Sequence, residues 1–217
     1  MPGGGESCAC SVRHPTPNAN WRCKFRAPTL PVSPPKLGSS VGVSKARNAE
    51  EFKTSCAHAL QFDKKILIEQ SVPSVREIEC SVLEDENGDV RTSELGEIVP
   101  GGGHDFYSYD AKYIDADGAA LVVPAQLSPK LKGEIQELAA KTFKTLCCEG
   151  MARIDFFLSG DDVFVNEANT LPGFTNISMY PKLWEASGLP QTELMNVLIG
   201  HALARHKASR SLTSRRD

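Results

Sequence analysis

The sequence predicts an α+β fold, and three observations lead to it. Segments with helical apolar spacing stand apart from segments that alternate in polarity. The alternating segments come in neighbouring pairs joined by short Gly- and Asp-bearing turns, which makes them antiparallel. No internal repeat interrupts the order helix, antiparallel strands, helix, hairpin, helices.

The first 35 residues carry seven of the fourteen prolines and no apolar period, so they read as a disordered or targeting-like leader. Arg13, Arg22, Lys24 and Arg26 against the single Glu6 resemble an organelle transit peptide; an unrelated leader explains the segment as well. Ala49, Phe52, Cys56, Ala59 and Leu60 then fall on one helical face, which predicts a helix over 46–60, and 65–69 is a compact β-type run. Residues 77–83 alternate Ile78, Cys80 and Val82 with Glu77, Glu79 and Ser81, predicting a strand with one wet face. Glu86-Asn87-Gly88-Asp89 turns the chain into a second strand over 90–99, and Pro100-Gly101-Gly102-Gly103 reads as a mobile loop. Ser128-Pro129 starts a helix that runs to about Cys148 with Leu131, Ile135, Leu138, Ala139, Thr142 and Leu146 on one face. Strands over 151–158 and 163–168 follow, then helices over about 178–186 and 191–206, and a basic, fraying tail over 207–217.

Composition narrows the function classes. Twenty-four Lys and Arg against 27 Asp and Glu give a net charge of −3, which provides no large positive field for nucleic acid. No apolar run approaches the length of a membrane span. Seven cysteines, an odd number with one adjacent pair, read as reduced thiols of a cytosol-like compartment. Cys8, Cys10 and Cys23, with His14 nearby, lack a fourth ligand at zinc-finger spacing. A small-molecule enzyme is the class that remains.

The strongest chemical signal is a pair of carboxylates on a hairpin. Asp155 and Glu167 are equidistant from Asp161, so a turn centred there sets them opposite one another. The two-residue period of a strand then brings Arg153 and Asn169 to the same face. Asp155, Glu167 and Asn169 form a hard-oxygen set suited to Mg²⁺, which takes one or two carboxylates and completes its shell with water and phosphate oxygens. Two weaker signals accompany it. Gly38-Ser39-Ser40-Val41-Gly42 is small enough for backbone N–H groups to approach an anion, though it also reads as an ordinary flexible turn. Tyr107, Tyr109, Lys112 and Tyr113, beside the triple glycine, could form a lid whose lysine reaches phosphate.

Taken in order, Gly38-Ser39-Ser40-Val41-Gly42, Leu67-Ile68-Glu69-Gln70, Arg76-Glu77-Ile78-Glu79, Gly96-Glu97-Ile98-Val99-Pro100-Gly101, Tyr109-Asp110-Ala111-Lys112-Tyr113, Ala152-Arg153-Ile154-Asp155 and Asn166-Glu167-Ala168-Asn169-Thr170-Leu171-Pro172-Gly173 resemble the D-alanine:D-alanine ligase family of the ATP-grasp superfamily, from about Val32 to about Leu203. The resemblance implies a partial central ATP-grasp subdomain over 36–110 and a C-terminal domain over 111–206, with the family's N-terminal domain missing. It implies a cytoplasmic ligase of peptidoglycan precursor synthesis, or an organellar one if the leader targets a plastid. That ligase would use ATP and Mg²⁺ or Mn²⁺ to join two D-alanine molecules through an acyl phosphate, and a homodimer is compatible with it. D-lactate or D-serine as acceptor, and a non-catalytic nucleotide-binding fragment, are the alternatives.

By matched position, the resemblance implies that Asp155, Glu167 and Asn169 are metal ligands and that Lys112 reaches the ATP phosphates. Glu69 and Glu77 match the adenine-side and ribose-side contacts, and Arg153 and the Gly173 N–H match groups that stabilise the tetrahedral intermediate. Ser178 matches the clasp on the acceptor carboxylate, while Ser39 and Tyr113 match a network near the first D-alanine. One departure is plain: where the family has Val-Lys-Pro, this chain has Val32-Ser33-Pro34, so a phosphate-binding lysine is replaced by Ser33.

Overall fold

The computed structural model describes residues 10–13, 29–36, 41–100, 119–175 and 177–211. These divide into two compact units, one within Met1–Pro73 and Pro100–Ala119, the other within Ser74–Val99 and Ala120–Asp217. Ser39, Lys112 and Tyr113, most of the glycine loop and the expected lid lie outside the described residues.

In the first unit, strands β1 (Cys10–Arg13), β2 (Leu30–Ser33), β3 (Ser44–Ala46) and β4 (Lys65–Ile68) form an antiparallel sheet in the order β1-β4-β2-β3. Helix α1 (Ala49–Ala59) lies between β3 and β4 in the chain. It begins three residues later than its apolar spacing suggests because Asn48 caps it. The Asn48 side chain accepts from the N–H groups of Glu50 and Glu51 at 3.1 and 2.9 Å, and the Glu51 carboxylate accepts from the Arg47 N–H at 2.8 Å. Phe52, Cys56 and Ala59 of α1 are buried with Leu30, Val32, Ala46, Ile66 and Ile68. This corrects the expected leader over 1–35. Residues 30–33 are an inner strand of the sheet, with Val32 fully buried; Pro31 sits within the strand and Pro28, Pro34 and Pro35 flank it, which hides the pattern in the sequence.

In the second unit, β5 (Arg76–Glu84), β6 (Val90–Pro100), β7 (Ala119–Val122), β8 (Met151–Ser159) and β9 (Asp162–Asn169) form a sheet in the order β7-β6-β5-β8-β9. The β5–β6 hairpin, which the sequence reading groups with 36–110, therefore pairs into the sheet that carries the carboxylates. Its turn is held by Asp85, whose side chain accepts from the N–H groups of Asn87 and Asp89 at 2.9 and 3.1 Å.

Helix α2 (Pro129–Thr145), capped by Ser128, packs Ile135, Ala139 and Phe143 against Ile78, Cys80, Val82, Ala152, Ile154, Phe156 and Leu158. Burial pushes the Cys80 thiol up to about 12, so it is inert as a nucleophile near neutral pH. The opposite face of β5 is not wet, as its alternation suggested. Glu79 and Ser81 are buried there, beneath helix α3 (Met179–Ala186) and beside Arg153. Two bonds fix α3 to β5: Ser81 Oγ donates to the Tyr180 carbonyl at 3.3 Å, and Tyr180 Oη donates to the Val82 carbonyl at 3.0 Å. Helix α4 (Gln191–Ser211) contributes Leu194 to a cluster with Leu83, Tyr180 and Trp184, and continues through residues 207–211, which the sequence reading assigns to a fraying tail.

Candidate functional site

The site is built on β5, β8 and β9, on the sheet face away from α2. The register is regular between β5 and β8, so Ser81, Glu79 and Glu77 lie opposite Arg153, Asp155 and Phe157. Between β8 and β9, Ser159 pairs with Asp162 around a two-residue turn in which Gly160 has φ +61°. Continued without interruption, that register would set Asn166 against Asp155 and move Glu167 to the next position. A bulge between Phe156 and Asp155 absorbs Asn166, so that Asp155 faces Glu167 and Arg153 faces Asn169. The expected pairing is present, and the bulge is what produces it.

At the centre, Arg153 grips Asp155 with two bonds, Nε to Oδ1 and Nη2 to Oδ2, both 2.7 Å. Its Nε also lies 3.1 Å from Oε2 of Glu79. Asn169 Nδ2 donates to Asp155 Oδ2 at 2.9 Å and to Glu167 Oε1 at 3.3 Å, which joins the three expected metal ligands in one cluster. Burial works against the charge on Arg153, but the bond to Asp155 and the charges of Asp155, Glu79 and Glu167 outweigh it and hold the guanidinium protonated. For Asp155, burial pushes the carboxyl up; Arg153 pulls it down, and neighbouring Glu167 opposes that pull.

Among the described residues, three carboxylates act on one guanidinium, an excess of negative charge that a divalent cation would neutralise. Asp155 is buried, while Glu167 at its side is exposed, so the donor set opens outward. Among the described residues no three His, Cys, Asp or Glu side chains form a metal cage, and two carboxylates with an amide suit Mg²⁺ with phosphate oxygens better than a closed structural site. The residues fit the group.

The remaining expected residues are distributed as follows. Glu77 is half-buried on β5, on the same face as Glu79. Glu69 follows β4 in the first unit, where its N–H donates to the Pro31 carbonyl at 3.1 Å and burial raises its carboxyl pKa. Gly173 and Ser178 belong to the turn that leads into α3. The Ser178 hydroxyl accepts from the Thr175 N–H at 2.9 Å and shares a hydrogen bond with Thr175 Oγ1 at 2.9 Å. A Cβ on Gly173 would stand 2.9 Å from that hydroxyl, so a larger residue there would push the Ser178 side chain out of its bonds to Thr175. Sequence reasoning missed Glu79 as a site residue because its alternation with Ile78 and Cys80 assigned it to solvent.

The chain is similar in sequence and in fold to known proteins. Residues 17–200 match the family model described as D-ala D-ala ligase C-terminus. D-alanine–D-alanine ligase B of Bradyrhizobium diazoefficiens is 64% identical over 186 residues, covering 86% of this chain and 50% of that protein. The structure of the D-alanine-D-alanine ligase from Coxiella burnetii superposes with a TM-score of 0.76 at 34% identity, over 94% of this chain and 53% of that one. That of the VanG D-Ala:D-Ser ligase from Enterococcus faecalis superposes with a TM-score of 0.70 at 26% identity, over 82% and 50%. The chain spans about half the length of the curated relatives it matches. With the matched residues running from before β2 into α4 and the fold in agreement, the chain belongs to the D-ala D-ala ligase C-terminus family, with an ATP-grasp fold.

Proposed function

We propose that this chain supplies the nucleotide- and metal-binding part of a D-alanine:D-alanine ligase, in which ATP phosphorylates the carboxylate of one D-alanine and the amine of a second displaces the phosphate. The observation that carries the reading is the cluster of Arg153, Asp155, Glu167 and Asn169, with its excess of negative charge on an open sheet face. Asp155, Glu167 and Asn169 would hold Mg²⁺, which when bound would shield the phosphate charges. Arg153, kept cationic and aimed by Asp155 and Glu79, provides a fixed positive charge toward an oxyanion. The Gly173 N–H is proposed to join Arg153 in stabilising the tetrahedral intermediate, Ser178 to clasp the acceptor carboxylate, and Glu69, Glu77 and Lys112 to contact the nucleotide. Ser39 and Tyr113 complete the proposed set around the first D-alanine.

The likeness to a D-Ala:D-Ser ligase over the same part of the fold leaves D-serine as a second acceptor to be offered in the assay. The metal site is tested by melting the protein with Mg²⁺ and a slowly hydrolysed ATP analogue. At a hundredfold excess over Kd the stabilisation is about 2.7 kcal/mol. Asp155→Asn combined with Glu167→Gln is expected to abolish the shift. An unchanged shift in that double variant overturns the metal assignment.

A further inference from the structure

Helix α2 ends in a closed turn. The Cys148 N–H donates to the Phe143 carbonyl at 3.0 Å and the Cys147 N–H to the Lys144 carbonyl at 3.1 Å, the pair of bonds that defines a Schellman motif. In that motif the residue just past the cap takes the left-handed conformation, and glycine is its usual occupant. Here it is Cys147, with φ +52°, exposed and followed directly by a second thiol. A side chain with a β-carbon at that position is strained. Cys148 is half-buried against the α2 core, so its backbone and the root of its side chain are fixed while Cys147 stands in solvent.

We infer that Cys147 and Cys148 form a two-thiol binding site for trivalent arsenicals, a thiophilic class that bonds two sulfurs at once. An aryl arsonous acid reacts here without redox change. Two As–O bonds break, two As–S bonds form, and each thiol proton leaves with a hydroxide as water. Geometry favours such a bridge over a direct disulfide. Adjacent Cα atoms across a trans peptide are about 3.8 Å apart, below the roughly 4.4 Å minimum for an unstrained S–S link. One inserted atom enlarges the ring and relaxes it. Neutral thiols suffice, and the Cys148 thiol is held neutral by burial and by its neighbour's charge.

The native chain is titrated with phenylarsine oxide, then digested with trypsin and mapped by mass. The expected result is one arsenical on the peptide 145–153, with both of its thiols blocked to alkylation, reversed by a small dithiol. Cys147→Gly restores the residue that the turn favours, so it is expected to melt no lower than the parent protein yet lose the adduct completely. Cys148→Ala is expected to lose it as well. Freely alkylated thiols at 147 and 148, an adduct confined to the Cys8 and Cys10 peptide, or an adduct at 145–153 that survives in Cys147→Gly each overturns the inference.

Discussion

Arg153 is shielded from solvent at four-fifths of its side-chain surface and meets carboxylates from two strands, so its removal is asymmetric. Arg153→Ala leaves Asp155 and Glu79 buried without their cation, a change that costs about 3 to 5 kcal/mol in comparable buried pairs. The expected outcome in urea unfolding is an unfolding free energy lower by that amount, seen as a lower midpoint at unchanged slope. Adding Glu79→Gln to Arg153→Ala removes one of the buried carboxylates that Arg153 faces and is expected to recover part of the loss. If the two changes simply add, Glu79 does not share the guanidinium's charge. At this scale the sequence was legible in chemical type: Asp155, Glu167, Asn169 and Arg153 are four residues whose functional groups announce the site. Glu79 was not legible, because alternation reports only which residues share a face, and what covers that face is decided by α3 and β8, far along the chain.

For the elements, positions follow from local signals more reliably than partners do. Asn48, Ser128 and the Asp85 turn are capping and turn chemistry that acts within a few residues, and all three set element ends within reach of sequence reasoning. The β8–β9 bulge has no such local mark. It compensates for a turn centred between Gly160 and Asp161 and not on Asp161 itself, so the expected pair meets by a different route. The attachment of α3 to β5 was likewise invisible, since Ser81 and Val82 lie about a hundred residues before Tyr180. That attachment has a testable strength. Tyr180 is fully buried and its hydroxyl donates to the Val82 carbonyl, so Tyr180→Phe deletes one buried hydrogen bond with little change in shape. A loss of about 0.5 to 1.5 kcal/mol in chemical denaturation is expected. A variant as stable as the parent would mean that the Tyr180 hydroxyl bond adds nothing to the attachment of α3.

The molecule as a whole consists of two units with separate cores. One contains Phe52, Cys56, Val32 and Ile66; the other has Phe143, Phe156 and Ile154 at its centre. The α1 face of the first core, Phe52, Cys56 and Ala59, was legible from helical spacing, while Leu30 and Val32 were masked by the prolines around them. Among the described residues no buried cluster spans both units, which predicts that unfolding departs from a single two-state transition. Phe52→Ala and Phe143→Ala make the test, since each deletes a fully packed ring and is expected to cost about 3 to 5 kcal/mol in its own unit. Calorimetry of the unliganded protein is then expected to show Phe52→Ala lowering one transition and Phe143→Ala the other, each leaving its counterpart within a degree or so of the parent. Because the carboxylate cluster lies wholly on β5, β8 and β9, Phe52→Ala is further expected to leave the Asp155–Glu167 face folded at temperatures where the first unit has melted. If both substitutions shift one common transition equally, the two cores are energetically a single body, and the stability of the carboxylate face is tied to the first core.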